Sequence, residues 1–168
     1  LIGGMQTTNS NTVRQAATEA LKHTVDLASA NFDRQGERDM IMASIKTSAT
    51  SCDDAAVRKE AYDCLICISE LYYTLLSNYI MDVFQYTTAA IKTDEDEVGK
   101  KAIEFWLQVC EEEVERNDRI ADGEQGVEHL QLLKRAYPNL LPIVMEHTLT
   151  KQCEDVDDDE WNMYQAGC

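Results

Sequence analysis

One stretch of this chain recurs at intervals that few folds can use. A polar turn, a valine, a basic or polar residue and a run of small residues make up the stretch. It appears as Asn11-Thr12-Val13-Arg14-Gln15-Ala16-Ala17, as Asp54-Ala55-Ala56-Val57-Arg58-Lys59-Glu60-Ala61, and as Asp96-Glu97-Val98-Gly99-Lys100-Lys101-Ala102. A divergent fourth copy is Asp158-Asp159-Glu160-Trp161-Asn162-Met163-Tyr164. Val13 to Val57 is 44 residues and Val57 to Val98 is 41. Repeats of about 40–47 residues are the length of the two-helix HEAT or armadillo unit. Val98 to Trp161 is 63 residues, so that unit carries an insertion of about twenty.

Each copy opens a helix. After Val57 the apolar positions are Ala61, Cys64, Leu65, Ile68, Leu71, Tyr72 and Leu75, the three-and-four spacing of one buried face. Asp54 stands where an N-cap accepts from free first-turn amides. The matching faces are Val13, Ala17, Ala20, Leu21, Thr24 and Leu27, and then Val98, Ala102, Phe105, Trp106 and Val109. These are inner (B) helices. Outer (A) helices are expected over 37–48, 79–92 and 130–150, the last broken or kinked near its start by Pro138 and Pro142. Residues 1–5 read as the tail of a further A helix. The expected fold is all-α: an α-solenoid of antiparallel A/B pairs over 1–168, about three full repeats with partial helices at each end. Such pairs acquire a core by stacking on their neighbours. The chain opens on Leu1 and stops at Cys168, which suggests a piece of something longer.

Candidate chemistry is sparse. His23, His129 and His147 lack ligand or catalytic spacing. Cys64-Leu65-Ile66-Cys67 lies mid-helix on the face of Leu65 and Ile68, which favours small buried hydrophobes over a redox or metal pair. The six cysteines sit in helical patterns and are expected reduced, in an intracellular compartment. No apolar run approaches the ~18 residues of a membrane span, and no leader-like segment opens the chain. There is no phosphate loop or nucleophile set, so neither an enzyme nor a cofactor is expected. With 31 acidic against 15 basic residues the net charge is −16, which disfavours nucleic acid and anionic membrane and favours basic partners. The acid clusters in the run 154–160. As a calcium loop beginning at Asp155 it fails, with Glu160 at the sixth position and Ala166 at the twelfth. A solvated loop or a landing patch for a basic partner remains. Glu111, Glu112, Glu113 and Glu115 are read as the end of a B helix, where acid opposes the macrodipole and so points outward to a partner. Met40, Met42, Tyr72, Tyr73, Tyr79, Phe84 and Tyr86 form an aromatic and sulfur-rich series along the A helices, and shallow grooves there could accept an aromatic side chain.

Several segments, in order along the whole chain, resemble the importin-β (karyopherin-β) family of nuclear import receptors, around its fifth to eighth HEAT repeats. They are Asn31-Phe32-Asp33, Glu37-Arg38-Asp39-Met40-Ile41-Met42, Leu71-Tyr72-Tyr73, Ile103-Glu104-Phe105-Trp106, Val109-Cys110-Glu111-Glu112, Leu149-Thr150-Lys151-Gln152 and Trp161-Asn162. The resemblance implies that Phe-Gly nucleoporin repeats insert between A helices at Ile2, Glu37, Met40, Ile41, Tyr79 and Tyr86, with Met40 where relatives carry phenylalanine. It implies that Glu154, Asp155, Asp157, Asp158, Asp159, Glu160 and Trp161 meet Ran-GTP and the basic segment of importin-α. Trp106, Glu111 and Glu112 would stand on the concave B row that grips basic helices. Residence in cytoplasm and nucleus, at the pore, follows from the same resemblance. Another HEAT scaffold, such as a phosphatase regulatory subunit or a different karyopherin, has the same architecture and other partners.

Overall fold

The computed structural model describes residues 1–149, with side chains through residue 146. Seven α-helices follow one another with no strand among the described residues: α1 (Asn11–Lys22), α2 (Ser29–Asp33), α3 (Gln35–Ser51), α4 (Ala55–Leu71), α5 (Ile80–Thr93), α6 (Asp96–Ala121) and α7 (Leu132–Leu149). Short 3-10 turns fill Val25–Ala28 and Tyr73–Asn78. Connections of two or three residues join α3 to α4 and α5 to α6, so each pair packs as an antiparallel hairpin. α1, α4 and α6 form the B row; α3, α5 and α7 form the A row. The described residues thus hold two complete pairs, with a B helix before them and an A helix after. The B helix expected around Trp161 lies outside the described residues.

The repeated stretch starts helices for the anticipated reason. Ser10 and Asp54 cap α1 and α4, with Asp54 Oδ1 accepting from Ala56 N at 2.9 Å. Val57, Ala61, Cys64, Leu65 and Ile68 are all buried to 1% exposure or less, and Val98, Ala102, Phe105, Trp106 and Val109 to 3% or less. Two readings of the pattern shift. On α1 the buried line is Arg14, Thr18 and Leu21, continuing to Val25, while Val13 and Leu27 are exposed. Thr18 can occupy the core because its hydroxyl donates to Arg14 O at 2.8 Å, leaving the methyl to pack. Leu71 is exposed because α4 ends there; Tyr73 and Leu76 of the following turn take the core instead. Residues 1–5 run in successive turns, Gly4 N to Leu1 O and Met5 N to Ile2 O, where the tail of a helix was expected.

Neighbouring repeats are tied at both ends of the pairs. Arg58, in the first turn of α4, donates to Asp94 through Nε (3.0 and 3.2 Å) and Nη2 (2.6 Å) and to Cys52 O through Nη1 (2.8 Å). Hydrogen bonds to Asp94 hold the guanidinium above its ordinary range. One repeat earlier, Asn11 Nδ2 donates to Asp53 Oδ1 at 3.2 Å; Asp53 and Asp94 each stand four residues before a repeated valine. At the opposite end two adjacent tyrosines reach in opposite directions. Tyr72 turns back, stacking on Phe32 at 4.1 Å and donating to Val25 O at 2.9 Å. Tyr73 turns forward, donating to Glu113 Oε1 at 2.7 Å and accepting from Leu130 N at 3.0 Å.

Glu113 corrects the reading of the glutamate run. α6 does not end at Glu115 but continues to Ala121, so the run is mid-helix and opposes no C-terminal dipole. The insertion extends α6 and then turns through Gly123 and Gly126, whose φ angles of 86° and 81° suit glycine. Glu113 is 7% exposed and accepts from the amides of Leu132 and Leu133, capping α7 from a different helix. Arg116 completes the group, 4.5 Å above the Tyr73 ring and donating to Glu112 and to Glu128 O. Of the expected break or kink, the break is absent: α7 is one helix through Pro138 and Pro142. Both prolines lie on its exposed side, so the carbonyls they leave without donors can face water.

Substitutions of Arg58 and Glu113 probe these ties, with Lys59 as a control. Arg58→Ala, which strands a largely buried Asp94 side chain, is expected to lower stability by about 2 kcal/mol in urea unfolding followed by circular dichroism. Lys59→Ala, losing only the exposed pair with Glu97, should change it by less than about 0.5 kcal/mol; equal losses would contradict the assignment. Glu113→Ala is expected to speed hydrogen exchange at the Leu132 and Leu133 amides while leaving α4 protected; unchanged exchange there would remove the cap.

Candidate partner-binding surfaces

The A row presents grooves wherever one A-side element meets the next. The first, about 620 Å³, lies between residues 1–2, the 24–31 connection and α3. Ile2, Glu37, Met40 and Ile41 all line it. Ile41 is floor, 6% exposed; Met40 is 57% exposed and Leu27 78%, so apolar surface faces solvent. The Glu37 carboxylate is fixed by Arg34 and by the Asn31 side-chain amide, placing a held acceptor on an apolar lip.

The other two positions implied for Phe-Gly binding fall in the next groove, of about 320 Å³ between α3 and α5. Tyr79 forms part of its wall: its hydroxyl donates to Asp39 and accepts from Arg38 Nε at 3.1 Å. Tyr86 is floor, 6% exposed, with its carbonyl accepting from Tyr62 OH at 3.1 Å; burial pushes its phenol far above the ordinary value. The six positions therefore form no single site but divide four and two across the two flanks of α3. A third, smaller cleft of about 100 Å³ between α5 and α7 is lined by Phe84, Met81, Leu132 and Ala136. Sequence reading did not place it, because its second wall comes from the proline-containing helix.

Trp106 belongs to that cleft and not to the open face of the B row. It is 3% exposed, edge-on to Phe84 and Phe105, and its Nε1 donates to Thr87 Oγ1 at 3.0 Å. The helical phase explains the correction: Trp106 shares the buried side with Ala102 and Val109, whereas Glu104, Leu107 and Glu111 follow the outward line. Glu111 is exposed, and Glu112 is held by Arg116 at 2.7 Å.

Along the B row, charges of opposite sign alternate from helix to helix. Lys22 reaches Glu60 (2.7 Å) and Asp63 (3.6 Å), and Lys101 reaches Asp63 (3.1 Å) and Glu104 (2.7 Å). Burial by itself would lower the Lys22 ammonium; Glu60 and Asp63 outweigh it and raise the group above its usual range. Glu70 and Glu111 are exposed and make no ion pair among the described residues. Glu154, Asp155, Asp157, Asp158, Asp159, Glu160 and Trp161 lie outside the described residues.

Cys64 is fully buried with its Sγ donating to Thr18 O at 3.2 Å, and burial pushes the thiol up, away from nucleophilic or metal-binding thiolate. Among the described residues no three His, Cys, Asp or Glu side chains group as a metal site would need, and no helix is long and apolar enough to cross a membrane.

No family model matches the chain. It is 38% identical to Importin subunit beta-1 of Arabidopsis thaliana over 99% of its own length and 20% of that protein's. In structure it matches the Kap95 chain of a Kap95:Nup1 complex with a TM-score of 0.91 and 30% identity, over 99% of this chain and 19% of that one. It matches equally, at 0.91 and 30%, the structure describing how Kap95p binding induces the switch loops of RanGDP to adopt the GTP-bound conformation, over 99% of this chain and 20% of that one. The chain spans about a fifth of the length of the curated relatives it matches. Repeat length, helix order and sequence agree across that span, and the chain belongs to the importin-β family as a segment of its HEAT-repeat solenoid.

Proposed function

We propose that this chain is the part of a nuclear import receptor that holds Phe-Gly nucleoporin repeats between its A helices, moving between cytoplasm and nucleus through the pore. The observation that carries the reading is the first groove: Ile41 as floor, Met40 and Leu27 as exposed apolar lips, and Glu37 fixed beside them. A phenylalanine ring is flat and apolar, and a following glycine lets the peptide backbone lie close to α3 without a side-chain clash. The association of Kap95 with Nup1 in a solved relative supports this choice of partner, and that of Kap95p with Ran supports a second one.

The B row serves the basic partners in this reading. Ran-GTP and the basic segment of importin-α, or a basic cargo signal, meet the exposed Glu70 and Glu111, with the Arg116-held Glu112 beside them, and the acidic run 154–160. The Lys22 and Lys101 ladder neutralises the carboxylates nearest the seam, so attraction concentrates on those it leaves unpaired. A receptor of this kind acts by reversible contact and needs neither cofactor nor metal. One continuous stack over the described residues carries both faces at once.

Met40 is the position to vary, since Ile41 belongs to the core and a charge there would disturb the fold. Fluorescence anisotropy with a labelled Phe-Gly repeat peptide should show Met40→Asp binding about five- to tenfold more weakly than wild type, about 1–1.4 kcal/mol. Leu107→Asp, on the exposed outward line of α6, should bind as wild type does. Equal affinity of wild type and Met40→Asp, or no binding by either, would refute the reading.

A further inference from the structure

The first two A-row grooves share a helix wall but differ in what lies across them. In the first, the apolar lips stand in solvent. In the second, two polar contacts reach out from α3, one to Tyr79 just before α5 and one to α5 itself. Tyr79 OH donates to Asp39 at one end, and Lys46 Nζ meets Asp82 Oδ2 at 2.9 Å at the other. Asp39 and Lys46 are seven residues apart on α3, about two turns or 10 Å. Between them on the same helix lie Met42 and Ala43, opposite Val83 and Tyr86 of α5. Met42, Val83 and Tyr86 are 6%, 1% and 6% exposed, a floor as buried as Ile41 in the first groove; what differs is the rim, exposed apolar lips at the first groove and polar contacts across the second.

We propose that the Lys46–Asp82 ion pair is a latch on the second groove, so that an aromatic side chain of a peptide reaches Met42 and Tyr86 only when that pair opens. The inference rests on the docking reading above and adds a regulation to it. The Tyr79 end is the fixed one, since its hydroxyl is shared between Asp39 and Arg38. The Lys46 end is the one that moves: both partners are well exposed, at 45% and 61% of their side chains, and the pair is held by a single 2.9 Å contact. An exposed pair of this kind is weak and screened by salt, which suits a latch that opens often. The two grooves then answer ionic strength differently, the first by apolar contact alone and the second through release of an ion pair.

Methionine places a reporter in each groove, Met40 in the first and Met42 in the second. With methyl-labelled methionine, NMR titration of the whole chain with a Phe-Gly peptide reads the two occupancies separately. In Lys46→Ala and in Asp82→Asn the Met42 midpoint is expected to fall about two- to fivefold while the Met40 midpoint stays fixed. The charge-reversed pair Lys46→Asp with Asp82→Lys should restore the wild-type Met42 curve. Raising salt on wild type should lower the Met42 midpoint relative to that of Met40. A Met40 response with a Met42 midpoint indifferent to all of these changes would overturn the latch alone. Absence of any shift at either methyl would overturn the docking reading and the latch with it.

Discussion

No helix pair here closes a core by itself, and everything else follows from that. α4 has α3 on one side, α1 on a second and α6 on a third, and Val57, Ala61, Tyr62, Cys64, Leu65 and Ile68 are buried among them. The apolar cluster is continuous from Met5 to Leu140, passing through every long helix without a boundary. Stacking, and not pairing, is what removes these side chains from water. Because consecutive pairs share the seam, their ends must keep register, and the ties found there do that: Arg58 to Asp94 at one end, Tyr72 back to Val25 and Tyr73 forward to Glu113 at the other.

A stack of this kind leaves two long surfaces, and the residues on them have different chemistry. The A row is interrupted by clefts, since side chains from helices one repeat apart do not fill the space between them. The B row is packed more closely and carries charge on its outward line, partly cancelled by Lys22 and Lys101. The net charge of −16 is therefore no uniform coat. Some acid is spent inside the fold: Asp94 holds Arg58, and Glu113 caps α7. Glu70 and Glu111, by contrast, are exposed and make no ion pair among the described residues.

The repeat itself was legible because period and apolar spacing are local properties, and α4 from Val57 to Ile68 and α6 from Val98 to Val109 bury the expected positions. What was misread depends on partners far along the chain. α1 was phased on Val13 because an apolar count cannot see that Thr18 satisfies its own hydroxyl and packs with its methyl. Trp106 was assigned to an interaction surface by resemblance, although its spacing from Ala102 and Val109 already put it inside. Glu113 looked like its neighbours Glu111 and Glu112. Only the return of the chain at Leu130 and Leu132, after the insertion, shows that it is a cap. The six groove positions were found as residues but not as an arrangement, since which flank of α3 each one faces is a property of the assembled row.

The central claim is that stability resides in the shared seam, so it should be highest where a helix has neighbours on both sides. Native-state hydrogen exchange of the whole chain in rising urea measures this helix by helix. The account predicts that the amides of α4 open last, with protection falling toward α1 on one side and α7 on the other. Protection in α4 no greater than in α1, or one common opening free energy for all helices, would contradict it.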